Sequence, residues 1–372
     1  MKVLVTGSQG FVAKNLLAQL KVRQDVEILQ FSRGDSISSL NEMLLQADFV
    51  FHLAGVNRPT DPADFKSGNT DLTRELCNSI VASGRKVPVL YTSSSQAELD
   101  NAYGASKLAA EQALLELSAA HGVPVHIFRL PNVFGKWARP DYNSAVATFC
   151  NNIARHLPIK INNPDAALML VYIDDVIAHF VGVMDGRLSG DPFVSVQPAY
   201  STTVGEVAEQ VAAFRDSRET LITEAVGTGL TRALYSTYLS YVPPERFAYD
   251  VPKYGDQRGV FVEMLKTRDS GQFSYFTAHP GITRGGHYHH SKTEKFLVIK
   301  GNACFRFRHI VSLEFYELHT CGEKPEIVET VPGWTHDITN VGSDEMIVML
   351  WANEVFDREN PDTYALPVGT EA

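Results

Sequence analysis

Cysteine is scarce in this sequence. The chain of 372 residues has only four, namely Cys77, Cys150, Cys304 and Cys321. Their positions show none of the paired spacings of a disulfide framework or a thiolate zinc site. We therefore expect reduced and mostly buried thiols.

Long apolar runs and an excess of positive charge are also missing. No apolar run approaches the length of a membrane span, and the first residues, MKVLVTG, lead directly into a predicted strand rather than a signal peptide. The net charge of -10 argues against nucleic acid or an anionic membrane as a partner, because both need a basic face. These features predict a cytoplasmic protein that acts on small molecules.

The local pattern changes at Pro243 and Pro244, which predicts two domains. In residues 1–243 apolar strands alternate with helical segments, which is typical of a parallel sheet covered by helices on both faces. In residues 246–372 short strand-like segments are separated by Gly, Pro, Asn and Asp, which indicates an all-β barrel or double sheet. A length of 372 residues also favours two domains over one.

A glycine-rich turn lies at the start of the chain, between a predicted strand and a predicted helix. Gly7 permits a tight turn, Gly10 lets backbone N–H groups approach a pyrophosphate, and the small Ala13 lets the helix pack closely on the strand. This arrangement predicts a dinucleotide site. Its predicted cofactor contacts are Gly7, Gln9, Gly10, Phe11 and Val12.

Two further strand ends contribute to the predicted cofactor site. The second strand ends at Arg33, where NAD-binding chains usually place an acidic residue for the ribose hydroxyl. Because an arginine suits a 2′-phosphate, we predict NADPH rather than NADH. The third strand runs into Leu53, Ala54 and Gly55, whose small residues let the chain pass close to a cofactor ring.

The candidate proton donor lies in the stretch SSSQAELDNAYGASK at 93–107. Tyr103 and Lys107 are one helical turn apart and so lie on one face, where the ammonium group is expected to lower the pKa of the phenol from about 10. A hydroxyl of the preceding serine cluster, Ser93 to Ser95, is placed to bind the same carbonyl oxygen. Together these groups would protonate an alkoxide as hydride reaches carbon.

A second set of polar residues lies in the β-rich part. Alternation along a strand sends His287 and His289 to one face, and Glu294 and His336 follow at longer spacing. Imidazole and carboxylate groups suit zinc or another divalent transition metal, so these four residues are predicted metal ligands. His290 would enter the set by a shift of one residue in register.

These motifs resemble known families. The segments TGSQGFVA, HLAG, YGASK, RLPNVFG and VYIDDV make the first part similar to the extended short-chain dehydrogenase/reductases that act on nucleotide sugars. This resemblance implies a Rossmann-like, doubly wound parallel sheet and a catalytic set of Ser94, Tyr103 and Lys107, with Ser95 as the alternative to Ser94. It also implies a ribose contact for Lys107, and Asn132 and Lys136 as residues of the substrate cleft. The second part resembles the cupins, which implies an all-β jelly roll and favours a homodimer.

The second part also resembles the nucleotide-ketosugar 3,5-epimerases, which are cupins that work without a metal. In those enzymes the histidine matching His287 removes a carbon-bound proton. Either His289, Glu294 and His336 hold a metal and leave His287 free as the base, or all four bind the metal and the base lies elsewhere. The sequence leaves both arrangements open.

Over its whole length the chain resembles the CapF/WbjC-type capsule and O-antigen enzymes of UDP-N-acetyl-L-fucosamine synthesis. The resemblance implies a bifunctional enzyme that acts on a UDP-2-acetamido-2,6-dideoxy-hexos-4-ulose. The cupin would epimerise C3, and the reductase would then use NADPH at C4 to give UDP-2-acetamido-2,6-dideoxy-L-talose. A C–H bond beside a ketone is acidic only until the ketone is reduced, so epimerisation must come first.

Two other classes of function remain open from the sequence. In one, the first domain senses NADP(H) without turnover and the cupin is only a metal-stabilised dimerisation module. Tyr103 speaks against this class, because a sensor has no need of a proton donor. Alternatively, the cupin would be a metal-dependent oxygenase or isomerase whose product the first domain reduces.

Overall fold

The computed structural model describes residues 1–188, 192–359 and 361–369. It divides into two compact units, one made of Met1–Ala212 and Thr228–Pro243 and the other of Ala213–Gly227 and Pro244–Ala372. The sequence placed residues 213–227 in the first domain, whereas the structure assigns them to the second unit. A short strand in this segment explains the difference, because β9 (Ile222–Thr223) pairs in parallel with residues 266–267 of the second unit.

The first unit contains a five-stranded parallel sheet. Its strands are β1 (Lys2–Thr6), β2 (Glu27–Phe31), β3 (Phe49–His52), β4 (Val89–Ser94) and β5 (Val125–Leu130). Their order is β2-β1-β3-β4-β5, and all the neighbouring pairs are parallel. This is one of the two common strand orders of doubly wound folds. A second, three-stranded sheet consists of β6 (Asn132–Phe134), β7 (Ala167–Tyr172) and β8 (Ala199–Thr203).

Helices cover both faces of the five-stranded sheet. The helices of the described residues are α1 (Phe11–Leu20), α2 (Ile37–Leu44), α3 (Ala63–Phe65), α4 (Leu72–Ser83), α5 (Ala102–His121), α6 (Ala145–Ala154), α7 (Ile173–Met184), α8 (Val204–Thr220) and α9 (Gly229–Leu239). One core joins α2, α4 and α5 to the face that carries Leu4 and Val50. Phe180 of α7 packs against Phe51 and Phe128, and Phe51 is the residue after Val50, so α7 covers the other face. The predicted Rossmann-like fold is confirmed.

A wider helical turn lies between α3 and α4. Between α3 and α4 the chain forms a π-helical segment, Lys66–Asp71, so one helical stretch runs from Ala63 to Ser83. Asn69 therefore lies inside the helix and is 1% exposed. Wider turns of this kind often occur at functional sites.

The second unit is a double β-sheet. After a 3₁₀ turn at Pro244–Arg246, its strands are β10 (Lys253–Asp256), β11 (Gly259–Thr267), β12 (Gln272–Ala278), β13 (Thr283–Tyr288), β14 (Glu294–Lys300), β15 (Asn302–His309), β16 (Phe315–Cys321), β17 (Ile327–Glu329), β18 (Trp334–Asn340), β19 (Met346–Ala352) and β20 (Tyr364–Ala365). One sheet has the order β10-β11-β12-β19-β14-β17 with β9 beside β11, and the other has β16-β15-β18-β13-β20. Phe276 and Phe296 of the first sheet share one core with Phe305 and Ile338 of the second. The predicted all-β domain is confirmed.

No helix in the described parts of the chain has the length and apolar character that a membrane crossing requires.

Candidate active sites in the two units

The predicted dinucleotide turn lies at the point where the strand order of the parallel sheet reverses. The chain passes from β1 to β2 on one side and then to β3 on the other side of β1, which opens a crevice at the carboxyl ends of these strands. Gly7 has a φ of 67°, and a Cβ at this position would lie 2.6 Å from the Cα of Ala54. The turn therefore touches the segment after β3, and α1 begins at Phe11 immediately beyond it.

The predicted cofactor residues thus lie near the carboxyl ends of β1, β2 and β3. Arg33 follows β2 and is exposed. The nearby carboxylate of Asp35 accepts a hydrogen bond from the backbone N–H of Ser32 at 2.7 Å, and the hydroxyls of Ser32 and Ser8 are 2.5 Å apart. These contacts hold the end of β2 against the glycine turn.

Ser94 and Tyr103 face each other across the end of β4. Ser94 is the last residue of β4 and is 7% exposed, whereas Ser95 is exposed. Asn101 caps α5 by accepting a hydrogen bond from the backbone N–H of Gly104 at 2.8 Å, which places Tyr103 in the first turn. The Ser94 hydroxyl interacts with the Tyr103 phenol. Of the two serines that the sequence left open, Ser94 is the one beside the phenol.

Lys107 is almost completely buried beneath this pair. Its Nζ donates a hydrogen bond to the carbonyl oxygen of Thr92 at 2.9 Å and lies 4.9 Å from the ring centre of Tyr91. Burial lowers the pKa of Lys107 to about 8, because a charged ammonium group is poorly solvated there.

The expected lowering of the Tyr103 pKa is wrong for this structure. Burial raises the pKa of the phenol, and the interaction with Ser94 only partly opposes that change. The ammonium group of Lys107 donates its hydrogen bond to the β4 carbonyl of Thr92 rather than to the phenol, so desolvation determines the direction in which the pKa of Tyr103 changes. The phenol is therefore protonated at neutral pH.

Asn69 is a buried residue of this site that sequence reasoning missed. Its Oδ1 accepts a hydrogen bond from the N–H of Val56 at 2.8 Å, and its Nδ2 donates to the carbonyl oxygen of Val56 at 2.9 Å. The same Nδ2 donates to the Ser106 hydroxyl at 2.9 Å. Asn69 thereby fixes the segment after β3 to the helix turn between Tyr103 and Lys107. Its local sequence gives no signal of this role.

Glu111 is the second missed residue. It is 1% exposed, accepts a hydrogen bond from the Ser93 hydroxyl, and forms an ion pair with Arg129 at 2.7 Å. These contacts tie α5 to β4 and β5. The sequence did contain a signal, because Glu111 follows Lys107 by four residues and therefore lies on the helix face of Tyr103.

The predicted substrate-cleft residues lie near the smaller sheet. Asn132 is exposed and donates from Nδ2 to the carbonyl oxygen of Met169 at 3.2 Å. Lys136 forms an ion pair with Asp174 of α7, and its backbone oxygen accepts a hydrogen bond from Asn15 of α1 at 3.2 Å. Among the contacts of the described residues, neither side chain meets the Ser94, Tyr103 and Lys107 set.

The four predicted metal ligands converge between the two sheets of the second unit. His287 and His336 are opposite each other on β13 and β18, His289 follows β13, and Glu294 begins β14. One potential ligand atom of each side chain lies within 4.8 Å of those of the other three. His290 is exposed and stays outside this histidine cluster.

The contacts inside the histidine cluster fit a divalent cation. Oε2 of Glu294 lies 3.3 Å from Nε2 of His289 and 3.5 Å from Nε2 of His336. Nε2 of His336 is buried without a hydrogen-bond partner, which is unusual for a polar atom. The second ring nitrogen of His289 is 2.5 Å from the carbonyl oxygen of Asp362, which is the outer contact that orients metal-binding histidines.

Two further residues support the histidine cluster and were missed in the sequence. Lys292 is 7% exposed and its Nζ lies 3.1 Å from Oε1 of Glu294. The carboxylate of Asp362 accepts hydrogen bonds from the backbone N–H groups of His290, Ser291 and Lys292, at 2.9, 2.7 and 2.8 Å. Asp362 is far along the chain, so no local pattern identifies it.

Electrostatics give the cluster a neutral histidine and an ionised carboxylate. Burial, helped by the neighbouring His336, lowers the pKa of His287 to about 4. Burial alone raises the pKa of Glu294, but the neighbouring His289 and His336 side chains and the Lys292 ammonium group bring it well below its usual range. His287 is also the most accessible of the four residues.

Comparisons with known proteins define the family. Residues 3–194 match the NAD dependent epimerase/dehydratase family, and residues 254–364 match the polysaccharide biosynthesis C-terminal domain. The chain belongs to the NAD dependent epimerase/dehydratase family and, within it, to the CapF-type proteins that the sequence resembles. The family supports the predicted nicotinamide cofactor.

Two relatives match the chain over its whole length. It is 64% identical to the UDP-2-acetamido-2,6-beta-L-arabino-hexul-4-ose reductase of Pseudomonas aeruginosa over 100% of both chains. The crystal structure of capsular polysaccharide assembling protein CapF from Staphylococcus aureus is 41% identical, with a TM-score of 0.91, and the match covers 99% of this chain and 100% of that one.

A more distant structure matches part of the chain. UDP-glucose 4-epimerase from Thermotoga maritima is 18% identical with a TM-score of 0.55, and the match covers 65% of this chain and 98% of that one. This likeness shows the fold alone.

Proposed function

We propose that the chain is a bifunctional enzyme of surface-polysaccharide precursor synthesis. The second unit epimerises C3 of a UDP-2-acetamido-2,6-dideoxy-hexos-4-ulose, and the first unit reduces C4 with NADPH to give UDP-2-acetamido-2,6-dideoxy-L-talose. One observation carries this proposal: a single chain holds the Ser94, Tyr103 and Lys107 set at the crevice of a nucleotide-binding sheet and a buried histidine cluster in a separate unit.

The relatives support a C4 ketone as the target of reduction. The name of the Pseudomonas aeruginosa protein specifies reduction of a UDP-linked hexul-4-ose, and that protein matches this chain from end to end. A hydrogen on C3 is acidic while C4 is a ketone, because the resulting carbanion delocalises as an enolate. Inversion at C3 therefore precedes reduction at C4.

The reduction step needs a proton donor for the new alkoxide. The nicotinamide supplies the hydride when it is bound. Tyr103 is protonated at neutral pH because burial raises its pKa, so its phenol donates the proton. Ser94 holds the carbonyl oxygen beside the phenol, and Lys107 contributes a buried ammonium group that contacts the ribose.

The cofactor preference for NADPH depends on Arg33. Its exposed guanidinium lies after β2, where the adenosine ribose is bound in this type of fold. The nearby acid, Asp35, is already bound to the backbone of Ser32 and does not take the place of the ribose-binding acid. A 2′-phosphate would thus meet a positive charge.

In the second unit His287 is the base that removes the C3 proton. His289, Glu294 and His336 hold the cation, because both histidines contact the same carboxylate oxygen. A divalent cation at this position supplies Lewis-acid stabilisation of negative charge. His287 makes no such contact with Glu294 and is the most accessible member, which leaves its imidazole available to the substrate.

One experiment tests both activities. The protein is incubated with NADPH and a UDP-linked 2-acetamido-2,6-dideoxy-4-ketosugar in deuterated water, and the products are identified by NMR. We expect deuterium at C3, consumption of one NADPH per sugar reduced, and a product of L-talo configuration. Reduction without deuterium at C3 would remove the epimerase from the proposal, and exchange without NADPH oxidation would remove the reductase.

A further inference from the structure

A second convergence of ligand-type side chains lies on the hairpin formed by β15 and β16. Cys304 on β15 is directly opposite His319 on β16, and Glu317 is two residues before His319 on the same face. One donor atom from each of the three side chains lies within 4.8 Å of the other two. The carboxylate of Glu317 and Nε2 of His319 are 3.1 Å apart.

This group is separate from the histidine cluster. Phe305 and Phe307 alternate with Cys304 along β15 and point into the core between the sheets. His336 is opposite Phe307 on β18, so the histidine cluster lies on the inner face of the sheet. Cys304, Glu317 and His319 therefore occupy the outer face, and the two groups have no residue in common.

The surroundings of the three residues favour entry of a cation. The Cys304 residue is 6% exposed and forms the base of the group, while the Glu317 and His319 side chains above it are exposed to solvent. The neighbouring cation, Arg306, is held by two hydrogen bonds to Asp337 at 2.9 and 2.8 Å. Its charge is thus balanced by a carboxylate outside the group.

We propose that Cys304, Glu317 and His319 form a second metal site, selective for zinc and similar divalent transition metals. Thiolate, imidazole and carboxylate are the ligands that such ions prefer, and three protein ligands leave a fourth position for water. The thiol releases its proton to solvent when the ion binds, so binding strengthens as pH rises. The ion links β15 to β16 on the outer face of the sheet.

Cobalt(II) substitution distinguishes this site from the histidine cluster. The histidine cluster contains no sulfur, so a thiolate-to-cobalt charge-transfer band in the near ultraviolet cannot arise from it. We expect the full-length protein, freed of metal and titrated with cobalt chloride, to bind two equivalents and to develop the sulfur band. His287→Ala should retain the band.

Two variants and a matched control complete the test. Cys304→Ser should lose the sulfur band and one cobalt equivalent, whereas Cys321→Ser, on the same strand as His319 but outside the group, should retain both. His319→Ala alters an exposed side chain and should weaken cobalt binding at this site at least about tenfold without unfolding the protein. The proposal is wrong if the wild-type protein shows no sulfur band, if the band survives in Cys304→Ser, or if it disappears in Cys321→Ser.

Discussion

At the residue scale, the proton donor of the reductase is the most direct point to test. Tyr103→Phe keeps the ring but removes the phenolic hydroxyl. NADPH oxidation should fall at least about a hundredfold, which is the usual loss when a general acid is removed. Exchange of deuterium at C3 should continue, as measured by NMR. Tyr91→Phe is the matched control, because Tyr91 is a buried phenol below Lys107 and should retain reductase activity.

The buried ammonium group of Lys107 makes stability depend on pH. In the folded protein its pKa is about 8, whereas in the unfolded chain it is near the ordinary value of 10.5. Between these values the unfolded state binds more protons, so the free energy of unfolding rises with pH. Since one pKa unit corresponds to about 1.4 kcal/mol, the gain for this group is on the order of 3 kcal/mol.

Lys107→Met removes this dependence. We expect the wild-type protein to gain about 3 kcal/mol of unfolding free energy relative to Lys107→Met between pH 8 and pH 10.5, in urea titrations of both proteins. Lys14→Met, an exposed change on α1, should follow the wild type throughout. A constant difference between wild type and Lys107→Met across this range would show that the buried amine does not titrate as inferred.

Arg33 is the residue proposed to favour NADPH over NADH, and its role can be tested directly. A hydrogen bond to a charged group contributes about 1.5 to 3 kcal/mol, so Arg33→Ala should raise the KM for NADPH by at least about tenfold. The KM for NADH should change little, because NADH has no 2′-phosphate. Steady-state kinetics of wild type and Arg33→Ala with each cofactor give the KM for NADPH and the KM for NADH. Lys21→Ala is the control, because Lys21 lies at the C-terminal end of α1, away from the glycine turn.

The residues that sequence could identify are those whose chemistry follows from spacing. Tyr103 and Lys107 share a helix face, and the four predicted metal ligands lie together in the histidine cluster. Spacing cannot reveal desolvation, which is why the direction of the Tyr103 pKa was wrong. Nor can it reveal Asp362, which reaches the histidine cluster only through the folded chain.

At the element scale, the sequence predicted β1 and its glycine turn correctly because these depend on neighbouring residues alone. In the second domain, the local apolar pattern is weak in β13 and β18, which carry His287 and His336. Their sequences, TRGGHY and WTHDITN, have little apolar alternation. These strands form because β18 pairs with both β13 and β15, a long-range effect that periodicity does not record.

The junction between β4 and α5 offers a prediction at this scale. Gly104 packs so closely on the preceding loop that a Cβ would lie 2.4 Å from the carbonyl oxygen of Gln96 and 2.5 Å from that of Leu99. Both atoms belong to the backbone, so Gly104→Ala must move the loop or the helix start. We expect a loss of about 1 to 3 kcal/mol of unfolding free energy and a lower kcat, because Tyr103 shifts relative to Ser94.

Ala105→Ser provides the comparison for Gly104→Ala. Ala105 is the next residue of α5 and is exposed, so a small added group meets no backbone atom. Urea unfolding and NADPH oxidation should both remain close to wild type. If Gly104→Ala matched Ala105→Ser in stability and kcat, the close packing of the loop would not be what positions Tyr103.

At the scale of the whole molecule, the division into units could be predicted only in part. The second unit resumes at Pro244, which is one of the two prolines where the sequence predicted a domain boundary. Residues 213–227 join the second unit because β9 adds to the edge of its sheet at β11. The chain enters the second unit at residue 213 and returns to the first at residue 228. Amino-acid composition does not mark these two crossings, because both units have the composition of ordinary globular proteins.

The proposed function requires two reactions that use different residues on one chain, and His287 tests their separation. His287→Ala removes the proposed base, so exchange of deuterium into C3 should fall by at least about a hundredfold. Reduction of a ketosugar already inverted at C3 should continue, because Ser94, Tyr103 and Lys107 belong to the other unit. NMR follows the exchange, and NADPH absorbance follows the reduction.

His290→Ala is the matched control for this last prediction, because His290 is an exposed neighbour outside the histidine cluster. It should retain both exchange and reduction. Normal exchange in His287→Ala would exclude His287 as the base and favour the arrangement in which all four residues bind the cation. Loss of reduction with the inverted substrate would instead mean that the two reactions depend on each other, since no residue of the reductase set is altered.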